Sequence, residues 1–205
     1  ARRQRQMCIR DRAMGILALS MQKKGTLKKD TLVITVMSNL GLKKRMQQAG
    51  IHVAETKVGD RYVLEHMLAN GYSIGGEQSG HIILLEQNTT GDGMMSAIAL
   101  LNAVAESGRR LSELAGDIPQ FPQVLVNVAV RNDGKAAAME DETLLRRKAE
   151  VEKQLGENGR VLVRASGTEP LIRIMLEGKD EKEILDLALS LAHILVEKYD
   201  GKIRT

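Results

Sequence analysis

The chain has 205 residues, enough for one large or two small cores, and a formal charge of +4 from 30 basic and 26 acidic side chains. Five bases (Arg2, Arg3, Arg5, Arg10, Arg12) stand against Asp11 alone in the first twelve residues, so 25 of each sign remain beyond them and the body is neutral. That balance removes the electrostatic support a nucleic-acid partner needs; the single Cys8 rules out a disulfide framework and suits a reducing cytoplasm; no apolar run reaches the ~18 residues that cross a bilayer.

Residues 1–12 are Arg-rich but lead into no apolar signal core, because Gly15–Leu19 is short and no small-residue cleavage site follows. A basic arm for RNA or lipid stays open as a reading; the one adopted is a foreign segment outside the fold. Residues 13–24 carry a short helical pattern closed by Gly25. Thr31–Met37 is an unbroken apolar, β-branched run, as in a strand covered on both faces. Ser38 or Asn39 can cap a helix running to Gln48, with Gly50 as its stop. Ile51–Glu55 reads as a strand, Arg61–Ala69 as a helix capped by Asp60, His81–Leu85 as a third strand and Met94–Glu106 as a third helix. Strands alternating with helices predict parallel pairing through right-handed crossovers, with ligands at the carboxyl ends of the strands.

Ala115–Pro122 concentrates two of the three prolines and breaks both periodicities, which marks a hinge. Beyond it the order changes to strand 123–130, helix 142–155, strand 160–163, strand 171–177 and a long helix 180–199. The last helix places Ile184, Leu187, Ala188, Leu191, Ile194 and Leu195 on one stripe. The predicted class is α/β: a mainly parallel βαβ domain of three or more strands, then a small α+β domain with two helices on an antiparallel sheet.

Between strands 160–163 and 171–177 lies Arg164-Ala-Ser-Gly-Thr-Glu-Pro-Leu-Ile-Arg173. Ser166, Gly167 and Thr168 offer hydroxyls and backbone N–H groups on a chain free to turn, and Arg164 and Arg173 add two guanidinium forks. Such a bend can hold a tetrahedral dianion; it can also be a hairpin connection whose hydroxyls cap its own backbone. In Gly75-Gly-Glu-Gln-Ser-Gly80, Glu77 and Ser79 can both point at a ligand, or form a surface turn. His81 could act as a general acid–base or serve structure alone, and Lys57 stands in a glycine-containing loop before Asp60. Neither Gly91-Asp-Gly93 nor Gly59-Asp-Arg61 supplies the alternating carboxylates a hard cation requires, so no metal site is expected.

The 164–173 run resembles the phosphate-binding loop of the α-D-phosphohexomutases, and Gly75–His81 resembles the sugar-recognition loop of the same family, in the same order. The likeness runs from about residue 13 to the end. It implies a non-family segment over 1–12, the terminal helix of the family's second domain over 13–30 with an orphaned apolar face, the sugar-recognition domain over 31–115, a hinge over 116–122 and the phosphate-binding domain over 123–205. It further implies that Arg164, Ser166, Gly167, Thr168 and Arg173 grip a sugar phosphate, and that Glu77, Ser79 and Lys57 contact the sugar. The substrate implied is a hexosamine phosphate; rival readings are a mutase of glucose or mannose phosphates and a non-catalytic sugar-phosphate binder. Family chemistry runs through a phosphorylated serine, with Mg2+ held by three aspartates. No serine here has the required Ser-His-Asn/His-Pro context and no triple-Asp loop occurs. Catalytic residues and the Mg2+ site are therefore expected on missing amino-terminal domains of the same protein, leaving this chain inactive alone.

Overall fold

The computed structural model describes residues 2–204, with side chains from Ile9 onward. The chain divides into two compact units, Ala1–Gln120 and Phe121–Thr205.

In the first unit the order is α1 (Arg2–Lys23), β1 (Thr31–Thr35), α2 (Leu40–Gln48), β2 (His52–Thr56), α3 (Asp60–Asn70), β3 (Ile74–Gly76), β4 (Ile82–Leu84), α4 (Gly93–Ser107) and α5 (Leu111–Gly116). The sheet runs β2-β1-β3-β4. β1 is parallel to β2 and β3, while β4 returns antiparallel to β3. A turn too short for a crossover joins β3 to β4, which compels the antiparallel return. The strand at Ile82–Leu84 is therefore not the third parallel strand the sequence suggested; that place belongs to Ile74–Gly76. Its glycines hide it from pattern reading, and packing explains them: a Cβ on Gly75 would meet Met67 Sδ at 2.7 Å and Val63 Cγ1 at 2.8 Å from α3.

Every residue of β1 is buried, because helices cover both sides. Leu32 and Ile34 pack with Met14, Leu17, Leu42 and Met46 on one face, and Val33 packs with Val63 and Met67 of α3 on the other. The apolar stripe of α1 is thus covered inside this unit, against α2, α4 and α5, rather than orphaned. The helix also continues without a break through residues 2–12, and buried Asp11 accepts the Asn39 N–H at 2.7 Å. Asn39 caps α2 as expected, through Gly41 N–H. Gly59, not Asp60, takes the N-cap position of α3; Asp60 turns its carboxylate to the Arg61 N–H. Asp92 caps α4 through Met94 and Met95.

The second unit contains β5 (Gln123–Ala129), α6 (Lys135–Met139), α7 (Glu142–Leu155), β6 (Arg160–Ala165), β7 (Leu171–Glu177), α8 (Glu181–Tyr199) and β8 (Lys202–Arg204). Its sheet order is β6-β7-β5-β8, antiparallel throughout. Val124, Val126, Val128, Ile172, Ile174 and Leu176 line the face covered by α7 and α8 and meet Leu144, Val151, Ile184 and Leu191 there. Each such side chain removed from water contributes about 1.5–3 kcal/mol before entropy is counted. Short α6 and β8 fall outside the sequence expectation.

Candidate functional site

In the first unit the Gly75–His81 segment is the β3–β4 hairpin, at the carboxyl ends of the parallel strands. Glu77 is its node. The residue is only 8% exposed; its carboxylate takes the Gly59 N–H on Oε2 at 3.2 Å and the Ser79 hydroxyl on Oε1, and lies 3.6 Å from His81 Nδ1. Loop 57–59 and hairpin 77–81 are thereby joined, and Lys57, Ser79 and His81 stand exposed on these two segments. Gly80 closes the turn at φ 128°, a conformation suited to glycine. A carboxylate has about four acceptor positions, so Glu77 can serve the loop and a sugar hydroxyl at once. Arg10 of α1 donates to the carbonyls of Gln78 and Ser79.

In the second unit Arg164 and Arg173 are direct register partners on β6 and β7. Val163, Ile172 and Ile174 point to the helices, so by alternation both arginines lie on the opposite face. Burial, and then the like charge of Arg173, pulls the Arg164 guanidinium below its ordinary value. This pair has a shortage of negative charge. Glu169, within the bend, pairs with Arg173, and the buried Arg173 Nε makes no hydrogen bond among the described residues. Gly167 and Thr168 are exposed at the tip.

Ser166 departs from the simple picture. It is 5% exposed, and its Oγ accepts the Glu169 N–H at 3.3 Å while its own N–H binds Leu171 O at 2.8 Å. The hydroxyl caps the bend and retains only its proton for a ligand. Lys135 was invisible to pattern reading: from α6 its Nζ donates to Ser166 O at 3.0 Å and Glu169 O at 3.1 Å. The Asn132-Asp133-Gly134 turn before a run of three alanines was the available clue to that helix. Asn127 and Arg204 extend the row of Arg164 and Arg173 across the sheet by register.

Among the described residues no group of three or more His, Cys, Asp or Glu side chains could hold a metal ion. The Thr56–Arg61 segment contributes Asp60 alone, so these residues do not fit the Mg2+ of the resembled family. No helix among the described residues is long and apolar enough to cross a membrane.

Comparison with known proteins matches residues 10–121 to the phosphoglucomutase/phosphomannomutase α/β/α domain III and residues 125–194 to the C-terminal domain of the same family. A phosphoglucosamine mutase of a Thermoanaerobacter species is 51% identical over 188 residues, 92% of this chain. One from Carboxydothermus hydrogenoformans is 57% identical over 179 residues, 86% of this chain and 40% of its own length. The chain spans 42% of the length of the Thermoanaerobacter relative. Among solved structures, Aspergillus fumigatus N-acetylphosphoglucosamine mutase superposes with a TM-score of 0.74 at 20% identity, over 91% of this chain and 43% of that one.

Proposed function

The chain belongs to the phosphoglucomutase/phosphomannomutase family, and from that premise we propose that it forms the sugar- and phosphate-binding part of a phosphoglucosamine mutase. The whole enzyme would interconvert glucosamine 6-phosphate and glucosamine 1-phosphate in the cytoplasm, through a phosphoserine and a bisphosphate intermediate, supplying amino sugar for UDP-N-acetylglucosamine and peptidoglycan. The observation that carries this reading is the register-paired Arg164 and Arg173 at the two ends of a bend with exposed Gly167 and Thr168, in a chain whose relatives bear that name.

Phosphoryl transfer relies almost wholly on positioning and on neutralising charge. In the proposed division of labour this chain positions. Arg164 and Arg173, with Gly167 and Thr168, grip the phosphate remote from the reacting bond, and either end of the sugar can occupy that grip. Glu77 accepts from a sugar hydroxyl, with Ser79 and Lys57 contributing from the same two loops; His81 stands 3.6 Å from Glu77 as a candidate acid–base. The phosphorylated serine and the Mg2+ would stand on domains that precede this one in the family.

Calorimetry with inorganic phosphate and glucosamine 6-phosphate tests the assignment. Arg173→Ala or Arg164→Ala should weaken binding by about 1.5–3 kcal/mol, the range for charge-assisted hydrogen bonds; unchanged dissociation constants sink it. A coupled mutase assay with Mg2+ should detect no turnover by this chain alone, and turnover would refute the proposed division of labour.

A further inference from the structure

We infer that Lys135 is a positioning residue for the anion-binding bend, setting the direction of the Gly167 N–H. The inference rests on the phosphate-binding reading above. Its Nζ reaches the carbonyl at the start of the bend, Ser166 O at 3.0 Å, and one near its end, Glu169 O at 3.1 Å. Two contacts from one ammonium fix both sides of the tip.

The consequence follows from peptide planarity. In a trans peptide the C=O and the next N–H point in opposite directions, and no cis bond occurs among the described residues. With the Ser166 carbonyl held toward Lys135, the Gly167 N–H is turned away from it. Packing does not hold that peptide: among the described residues a Cβ on Gly167 would have no neighbour within 4 Å, which leaves glycine its full freedom. The Ser166 hydroxyl is committed to the Glu169 N–H, and the peptide after Glu169 leads into Pro170, which has no N–H to offer. The Gly167 amide is accordingly the donor whose aim most needs an external hold. The ammonium also adds positive charge to the bend.

The test compares Lys135→Ala, Lys135→Arg and the parent chain by calorimetry with inorganic phosphate, by urea unfolding and by amide hydrogen exchange at Gly167. Lys135→Ala should weaken phosphate binding about tenfold, speed exchange at Gly167 and leave the urea midpoint unchanged. Lys135→Arg, which can also span two carbonyls, should recover binding to within about threefold of the parent. A Lys135→Ala affinity equal to the parent's, a loss matched by a fall in the urea midpoint, or a loss that arginine does not recover overturns the inference. If the parent itself does not bind phosphate, the anion-binding reading fails on its own. Exchange at Gly167 still decides the role of Lys135: acceleration in Lys135→Ala supports the hold on the peptide, and an unchanged rate removes it.

Discussion

In the proposed grip Arg173 serves two partners of the same sign. Glu169 holds its guanidinium within the bend, and a bound phosphate would make the same demand on it. The carboxylate relieves the repulsion between Arg173 and Arg164, which face each other across the ladder and of which Arg164 is already pulled down by burial and by its neighbour. The arriving dianion must displace Glu169 or tolerate it. Glu169→Gln should consequently tighten inorganic phosphate binding. The side chain is 51% exposed, so water screens the gain to no more than about 1 kcal/mol. Calorimetry on the variant checks the sign, and weaker binding would make Glu169 an orienting partner instead of a competitor. At the other loop, Glu77 is the reverse case: it is buried and committed to Gly59 and Ser79, so its orientation is already set within the loop.

Among the elements, α7 carries the clearest titration. Asp141 caps it through the Leu144 N–H at 3.0 Å and also receives Lys198 Nζ at 3.0 Å and the Tyr199 hydroxyl at 3.1 Å. The Leu144 N–H first and Lys198 second pull its carboxyl from 3.8 down to about 2. A folded value below the unfolded one stabilises the fold in full above about pH 4, and the contribution disappears as pH falls through about 2. Urea midpoints of the parent and Asp141→Ala should therefore differ clearly at pH 6 and converge toward pH 2; a constant gap would assign the loss to something other than ionisation. Sequence reading placed β1, β2, β4, β5, β6, β7, α2, α3, α4, α7 and α8, and the clearest of them, such as β1, β5 and α8, carry a strong apolar run or period. What it missed has a physical cause in each case. β3 is two-thirds glycine because α3 packs against Gly75 while Met14 and the His81 carbonyl crowd Gly76, α5, α6 and β8 are too short to show a period, and α1 extends through a charged stretch whose composition argued against inclusion. The arginines of the bend were legible because residues with that chemistry lie close in sequence. Lys135 was not, since 31 positions separate it from its nearer acceptor.

For the molecule as a whole, the two units hold separate cores, one built around β1 and the other around β5 and β7. Residues 121–205 expressed alone should thus unfold in one cooperative transition by far-UV circular dichroism and keep the phosphate affinity of the longer chain, because the arginines, Ser166, Glu169 and Lys135 all belong to that unit. A broad, non-cooperative melt would show that its core does not suffice. The strand β7 also ties recognition to folding. Ile172 and Ile174 flank Arg173, and sliding the strand by one position would push the Arg173 guanidinium into oil and leave isoleucines facing outward. Grease on the back of the sheet is what keeps the charge in front correctly aimed. One extra residue between Leu171 and Arg173 would ruin cohesion and grip together, whereas one beside Gly167 would lengthen the tip and spare the strand's alignment.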